Sequence, residues 1–66
     1  MKLEDIIDLL NDSSIINIYD NEQNLVATYD GKESIPEFMN YRFINDIFPD
    51  IHLGKCAIGI ELNMTM

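Results

Sequence analysis

The sequence predicts an α+β fold: α-β-β-α-β-β, a four-stranded, mainly antiparallel sheet with the N-terminal helix on one face. Three observations carry this expectation. Ser14 to Asp30 holds two runs rich in Ile, Val, Thr and Tyr around the polar cluster Asn21-Glu22-Gln23-Asn24, the pattern of a β-hairpin. Leu3, Ile6, Ile7 and Leu10 recur at i, i+3, i+4 and i+7, an apolar stripe along one side of a helix. Ile58, Ile60 and Leu62 alternate with Ala57, Gly59 and Glu61, as in a strand of a sheet covered on one side only.

The first helix is expected over Lys2 to Asn11, with Leu9 widening its stripe. Glu4 and Asp5 fall in the first turn, where the helix dipole favours negative charge. Glu4, Asp8 and Asp12 lie four apart and repel mildly. So short a helix is marginal alone and must pack against the hairpin.

In the hairpin, a loop of Asn21 to Asn24 sets Asp20 opposite Leu25, Ile18 opposite Ala27 and Ile16 opposite Tyr29. One face then collects Ile16, Ile18, Leu25, Ala27 and Tyr29. The other collects Ile15, Asn17, Tyr19, Val26 and Thr28. A loop one residue shorter would mix the two sets, because strand side chains alternate. Asn24 or Gln23 takes the left-handed conformation.

Asp30-Gly31-Lys32 is a turn that ends the second strand. Ser34 and Glu37 have capping-box spacing, and Pro36 suits a helix start. A short second helix follows, with Ile35 and Phe38 pinned to the sheet, Met39 on its apolar side and Asn40 as C-terminal cap. Tyr41 to Phe48 reads as a third strand whose pattern needs a bulge to align. Pro49 and Asp50 are expected to stop it. Ile51 to Lys55 is a loop turning at Gly54, and Cys56 to Leu62 is the fourth strand. Asn63 to Met66 is expected to fray. The first and fourth strands are the most regularly apolar, so they belong in the centre, giving the spatial order 2-1-4-3. Ile6, Ile18, Ile58 and Ile60 should be among the most buried residues.

Residues 1–66 suffice for one small domain with a small core. A single cysteine leaves no internal disulfide, which suits a reducing cytoplasm. Met1 is not followed by a basic and then apolar leader, so no signal peptide is expected, and no apolar run approaches the roughly 20 residues of a membrane helix. Twelve acidic against four basic side chains give a formal charge of −8. That balance disfavours direct contact with nucleic acid or an anionic membrane. Its ordinary role is a solvated, solubilising surface; its sharper role is a DNA-mimicking decoy for a nucleic-acid-binding host protein.

No arrangement of residues points to catalysis, a cofactor or a metal. Asp20, Glu22 and Asn24 alternate oxygen ligands as a calcium loop does, but the loop's sixth and twelfth places hold Leu25 and Gly31 where Gly and Glu are needed. His52 and Cys56 lie four apart, yet no second histidine or cysteine exists to complete a zinc site. His52 reads as a loop residue and Cys56 as a small buried one. Asp46 and Asp50 flank a strand end as solvated acids, and Asp30-Gly31-Lys32 lacks the glycines of a phosphate loop.

Ile-Tyr-Asp-Asn-Glu-Gln-Asn-Leu-Val at 18–26, Tyr-Asp-Gly-Lys at 29–32, Ile-Pro-Glu at 35–37 and Ile-Gly-Ile-Glu-Leu at 58–62 resemble a group of short acidic proteins of Gram-positive bacteria, often found among phage or conjugative-element genes. The resemblance implies a bacterial cytoplasmic protein in a mobile-element context and carries over no functional residues. The expected function is a non-enzymatic interaction or accessory module that binds another protein or itself, with the acidic decoy and a small-ligand binder as alternatives. Ile15, Tyr19, Val26 and Thr28 form the expected interaction face, through which a homodimer could close.

Overall fold

A computed structural model describes residues 1–64. It holds one short α-helix, α1 (Leu3–Ile7), and four strands: β1 (Ile15–Tyr19), β2 (Leu25–Asp30), β3 (Ile44–His52) and β4 (Lys55–Leu62). The sheet is mixed but mostly antiparallel. Its order is β2-β1-β4-β3, with β1 and β4 parallel at the centre. The chain crosses from the β2 edge to the β3 edge through two 3₁₀ turns, Lys32–Ser34 and Glu37–Tyr41.

One side of the sheet carries the core. Leu3 and Ile6 of α1 pack on Ile16 and Ile18 of β1 and on Ile60 and Leu62 of β4, with Ile35 and Met39 from the crossover. Tyr29 donates its hydroxyl to the Met39 sulfur at 3.5 Å. Ile58 is only half-buried, unlike Ile6, Ile18 and Ile60.

The helix is half the expected length. Beyond Ile7 the chain continues as tight turns, with Leu9 N–H donating to Ile6 and Leu10 N–H to Ile7. Asp8 and Asp12 put negative charge at the C-terminal end, where the dipole opposes it, and the last turn has no basic residue. The N-terminus is tied to β3 instead: Ile44 donates to the Met1 carbonyl at 2.7 Å and Leu3 to that of Arg42 at 3.0 Å.

The hairpin keeps the pairs Ile16–Tyr29 and Ile18–Ala27, then shifts, so that Tyr19 rather than Asp20 faces Leu25 and Val26 is the extra bulge residue. Asp20 is occupied in the loop. Its Oδ1 accepts the N–H groups of Glu22 and Asn24, both at 2.9 Å, and Gln23 takes the left-handed conformation. The bulge moves Leu25 to the face of Tyr19.

The second helix is replaced by the two 3₁₀ turns. Ile35 precedes a proline and is held extended, which breaks any continuous helix from Ser34. Ser34 therefore caps nothing and donates its hydroxyl to the Asp30 carbonyl at 3.0 Å. With three residues per turn, Met39 and not Phe38 meets the core, and Phe38 is exposed. The turn ends at Arg42 rather than Asn40.

β3 also departs from expectation. It starts at Ile44, bulges at Asn45, and runs straight through Pro49 and Asp50 to His52. An edge strand can carry a proline where the missing N–H would point to solvent. Leu53 and Gly54, both with positive φ, make a two-residue hairpin turn that starts β4 at Lys55. Asn63 and Met64 are anchored, not frayed: Asn63 donates to the Phe43 carbonyl at 2.8 Å and Met64 to the Asn21 side chain at 2.7 Å. The rest of the expected frayed tail, Thr65 and Met66, lies outside the described residues.

Candidate functional site

The two sides of the sheet are finished differently. On the helix side, five residues of α1 cannot span four strands. Toward β3 they leave an apolar groove of about 410 Å³, lined by Ile6, Leu9, Leu10, Ile47, Phe48, Pro49 and Ile58. Ile51 extends the same side of β3, since it pairs with Cys56 two places from the Pro49–Ile58 pair. Leu9 is 81 % and Ile51 70 % exposed. Asp8 lies beside Leu9, whereas Asp46 and Asp50 belong to the other side of the sheet, and no Lys, Arg or His lines the groove.

The outer edge of β3 has an unusual hydrogen-bond account. Pro49 has no N–H, so its position is one that would point away from β4; Ile47 and Ile51, two residues to either side, share that direction. The Ile47 N–H is taken by Asp46 Oδ1 at 2.9 Å, and the Ile51 N–H by Asp50 Oδ1 at 2.8 Å. Nearer the strand start, the Ile44 N–H goes to Met1. From Ile47 to Ile51 the edge thus offers no free outward donor, and the Ile51 carbonyl is itself approached by Asn17 Nδ2 at 3.5 Å.

The other side of the sheet has no helix, yet beside β3 it is closed by its own side chains. Gly59 leaves a gap in β4 that the Phe48 ring fills, and Tyr19 meets that ring at a centroid distance of 5.3 Å. The small Ala57 and Gly59 let Asp50 reach across β4 to β1. There Asp50 Oδ2 accepts Asn17 Nδ2 at 2.9 Å and the Tyr19 hydroxyl. Thr28 Oγ1 donates to Asn17 Oδ1 at 2.9 Å, so one chain of polar contacts crosses the sheet from β2 to β3. Asn17 is only 2 % exposed. The hydrogen bond from Tyr19, then that from Asn17, then the Ile51 N–H hold the Asp50 carboxyl below the usual carboxylate range. The same Asp50 contact is the main reason that the Tyr19 hydroxyl is pushed up. An anion that already accepts three donors and titrates below its usual range is suited to holding strands together, not to exchanging protons near neutrality.

The residues singled out in the sequence are scattered over this frame. Ile15 and Thr28 border a shallow hollow on the side without a helix, together with Asp30, His52, Leu53 and Lys55. Tyr19 borders another, with Gln23, Asp46 and Phe48. Val26 is the bulge residue on the β2 edge. His52 ends β3 rather than lying in a loop, and Cys56 is exposed rather than buried. They belong to successive pairs, His52–Lys55 and Ile51–Cys56, and so point to opposite sides. Among the described residues, no three His, Cys, Asp or Glu side chains group as metal ligands. None of the described helices is long and apolar enough to cross a membrane.

The sequence hides the groove because a proline ordinarily ends a strand. At an edge position it is tolerated, and Ile47, Pro49 and Ile51 continue one apolar side. No family model matches the chain, and neither a curated protein nor a solved structure matches it.

Proposed function

We propose that this chain is a small, non-enzymatic interaction module that holds another protein on the groove between α1 and β3. One observation carries the reading: Leu9, Ile47 and Ile51 are exposed together on the helix side of the sheet, next to the half-buried Ile58. A folded chain that leaves neighbouring apolar side chains in water has a contact surface there. The side with Ile15, Tyr19 and Thr28 supports this role less well, because Tyr19 is engaged by Asp50 and Phe48 and Thr28 by Asn17. The motif resemblance favours a bacterial cytoplasmic setting near mobile elements.

The test compares the wild-type chain with Leu9→Asp and Ile51→Asp in pull-downs from a Gram-positive lysate at low and high salt. A partner retained at high salt and lost in both variants fits the groove. Capture that vanishes with salt and ignores both variants would replace this reading with the acidic decoy.

A further inference from the structure

We infer that the groove accepts an α-helix carrying an apolar stripe flanked by Lys or Arg, contributed by another protein. The inference rests on the proposed interaction role and names the partner's chemistry. Two independent features select it.

The first is the hydrogen-bond state of the β3 edge. An added strand gains affinity from main-chain bonds in both directions. Here its carbonyls would find no donor between Ile47 and Ile51: one N–H is held by Asp46, one is absent at Pro49 and one is held by Asp50. Such an edge is protected against strand addition. A helix satisfies its own backbone and needs only apolar contact, which Ile6, Leu9, Leu10, Ile47 and Ile58 supply.

The second is charge. The chain carries −8 overall, and Asp8 sits at the end of α1 beside Leu9, a residue that lines the groove. Two of the four cations are already engaged, Lys2 over the Phe43 ring and Lys32 with Asp12 at 3.3 Å. A basic flank on the incoming helix meets complementary charge. A second copy of this chain would bring like charge to the same rim.

The experiment titrates the full chain with three synthetic peptides and follows its amide resonances. The first is a lactam-braced helix with Leu at i, i+3, i+4 and i+7 and Lys on its flanks; the second is its Glu-flanked twin; the third alternates Val and Thr to favour a strand. The Lys-flanked helix should shift Leu9, Leu10, Ile47 and Ile51, and Leu9→Asp should weaken it about tenfold or more. Ile47→Asp serves as a second variant, checked first for its melting profile. The Glu-flanked twin should bind far less well.

Any of four results would overturn the inference. They are pairing of the strand peptide along β3, equal binding of both helices, Lys-helix binding unaffected by Leu9→Asp, and absence of binding by any peptide. Self-association of the free chain in sedimentation, lost in Leu9→Asp, would also overturn it by seating a second copy in the groove, while leaving the interaction role intact. The interaction role fails separately, when both groove variants capture every partner that the wild type does.

Discussion

The sheet has one side with a helix and one without, and next to β3 the bare side is the better closed. On the bare side, Phe48 lies over Gly59, Tyr19 lies against Phe48, and Asn17 is sealed beneath a chain of polar contacts. On the helix side, α1 covers β1 and part of β4 but stops short of β3, and Leu9, Ile47 and Ile51 stay in water. An element packed on a face does not by itself finish that face. What finishes it is the reach of individual side chains, and Asp50 and Phe48 reach far because β4 opposes them with Ala57 and Gly59.

The strongest way to probe the contrast is to damage the part of the helix side that is closed. Ile18 and Ile60 are fully buried and adjacent in the parallel pair. Replacing either with Ala should cost about 2–5 kcal/mol, the transfer term plus a cavity that neighbouring strands cannot fill. In a domain this small, that loss can leave much of the population unfolded, which thermal melting monitored by circular dichroism will report.

A smaller effect is expected on the bare side. A Cβ on Gly59 would run into the Phe48 ring, which already packs against Tyr19. Gly59→Ala should cost about 1–3 kcal/mol through overpacking. Asn17→Ala leaves Asp50 without one donor and Thr28 without its acceptor, and about 1–3 kcal/mol is expected for the unmet partners. If Gly59→Ala melted like the wild type, the ring would not be closing this side, and the two sides would be equally open.

The same network gives the bare side a pH signature. Asp50 titrates lower in the folded chain than its ordinary value. Between the folded and ordinary values the unfolded chain binds more protons, so stability rises with pH there. The contribution is complete above the ordinary carboxylate range and is lost as pH falls through the lowered value. Tyr19 titrates higher when folded, so its contribution is complete below the ordinary tyrosine range and is lost as pH rises through the raised value. Urea midpoints measured across pH should fall at both ends, with a flatter acid limb in Asp50→Asn and a flatter alkaline limb in Tyr19→Phe. An acid limb unchanged in Asp50→Asn would show that the polar chain contributes nothing to holding the strands.

What the sequence made legible follows from periodicity, and what it hid follows from reach. Alternation in 15–19 and 57–62 marked Ile16, Ile18, Ile60 and Leu62 as one side, and they form the core. The hairpin pairs Ile16–Tyr29 and Ile18–Ala27 followed from the same rule, up to a bulge that local patterning does not announce. Propensity misled at two prolines. Pro36 looked like a helix start, but its constraint on Ile35 cut the segment into 3₁₀ turns. Pro49 looked like a strand end, but an edge position removed the objection. The contact between Asp50 and Asn17 joins residues 33 positions apart across an intervening strand, and no local pattern encodes it. The groove was hidden for the same reason: it exists only because α1 is shorter than its apolar stripe.

The smallest expected effect on stability falls where the largest effect on partners is proposed. Leu9 is 81 % exposed and Ile51 70 % exposed, so polar substitution removes little buried area. Leu9→Ser lies in a turn beyond α1 and breaks none of the core contacts. Ile51→Thr keeps a branched side chain on the strand, and its N–H remains available to Asp50. Each should stay within about 0.5 kcal/mol of the wild type, the usual range for surface positions. A core residue cannot behave this way, since Ile18 loses contacts on every side when shortened. If Leu9→Ser destabilised the chain as Ile18→Ala does, Leu9 would be folding down onto Ile47 and Ile58 in solution. The groove would then be occupied by the chain itself, and the contrast between a self-closed side and an open one would disappear. Equal melting temperatures with lost partner capture would instead separate folding from binding residue by residue. The surplus apolar surface would then belong to the partner rather than to the fold.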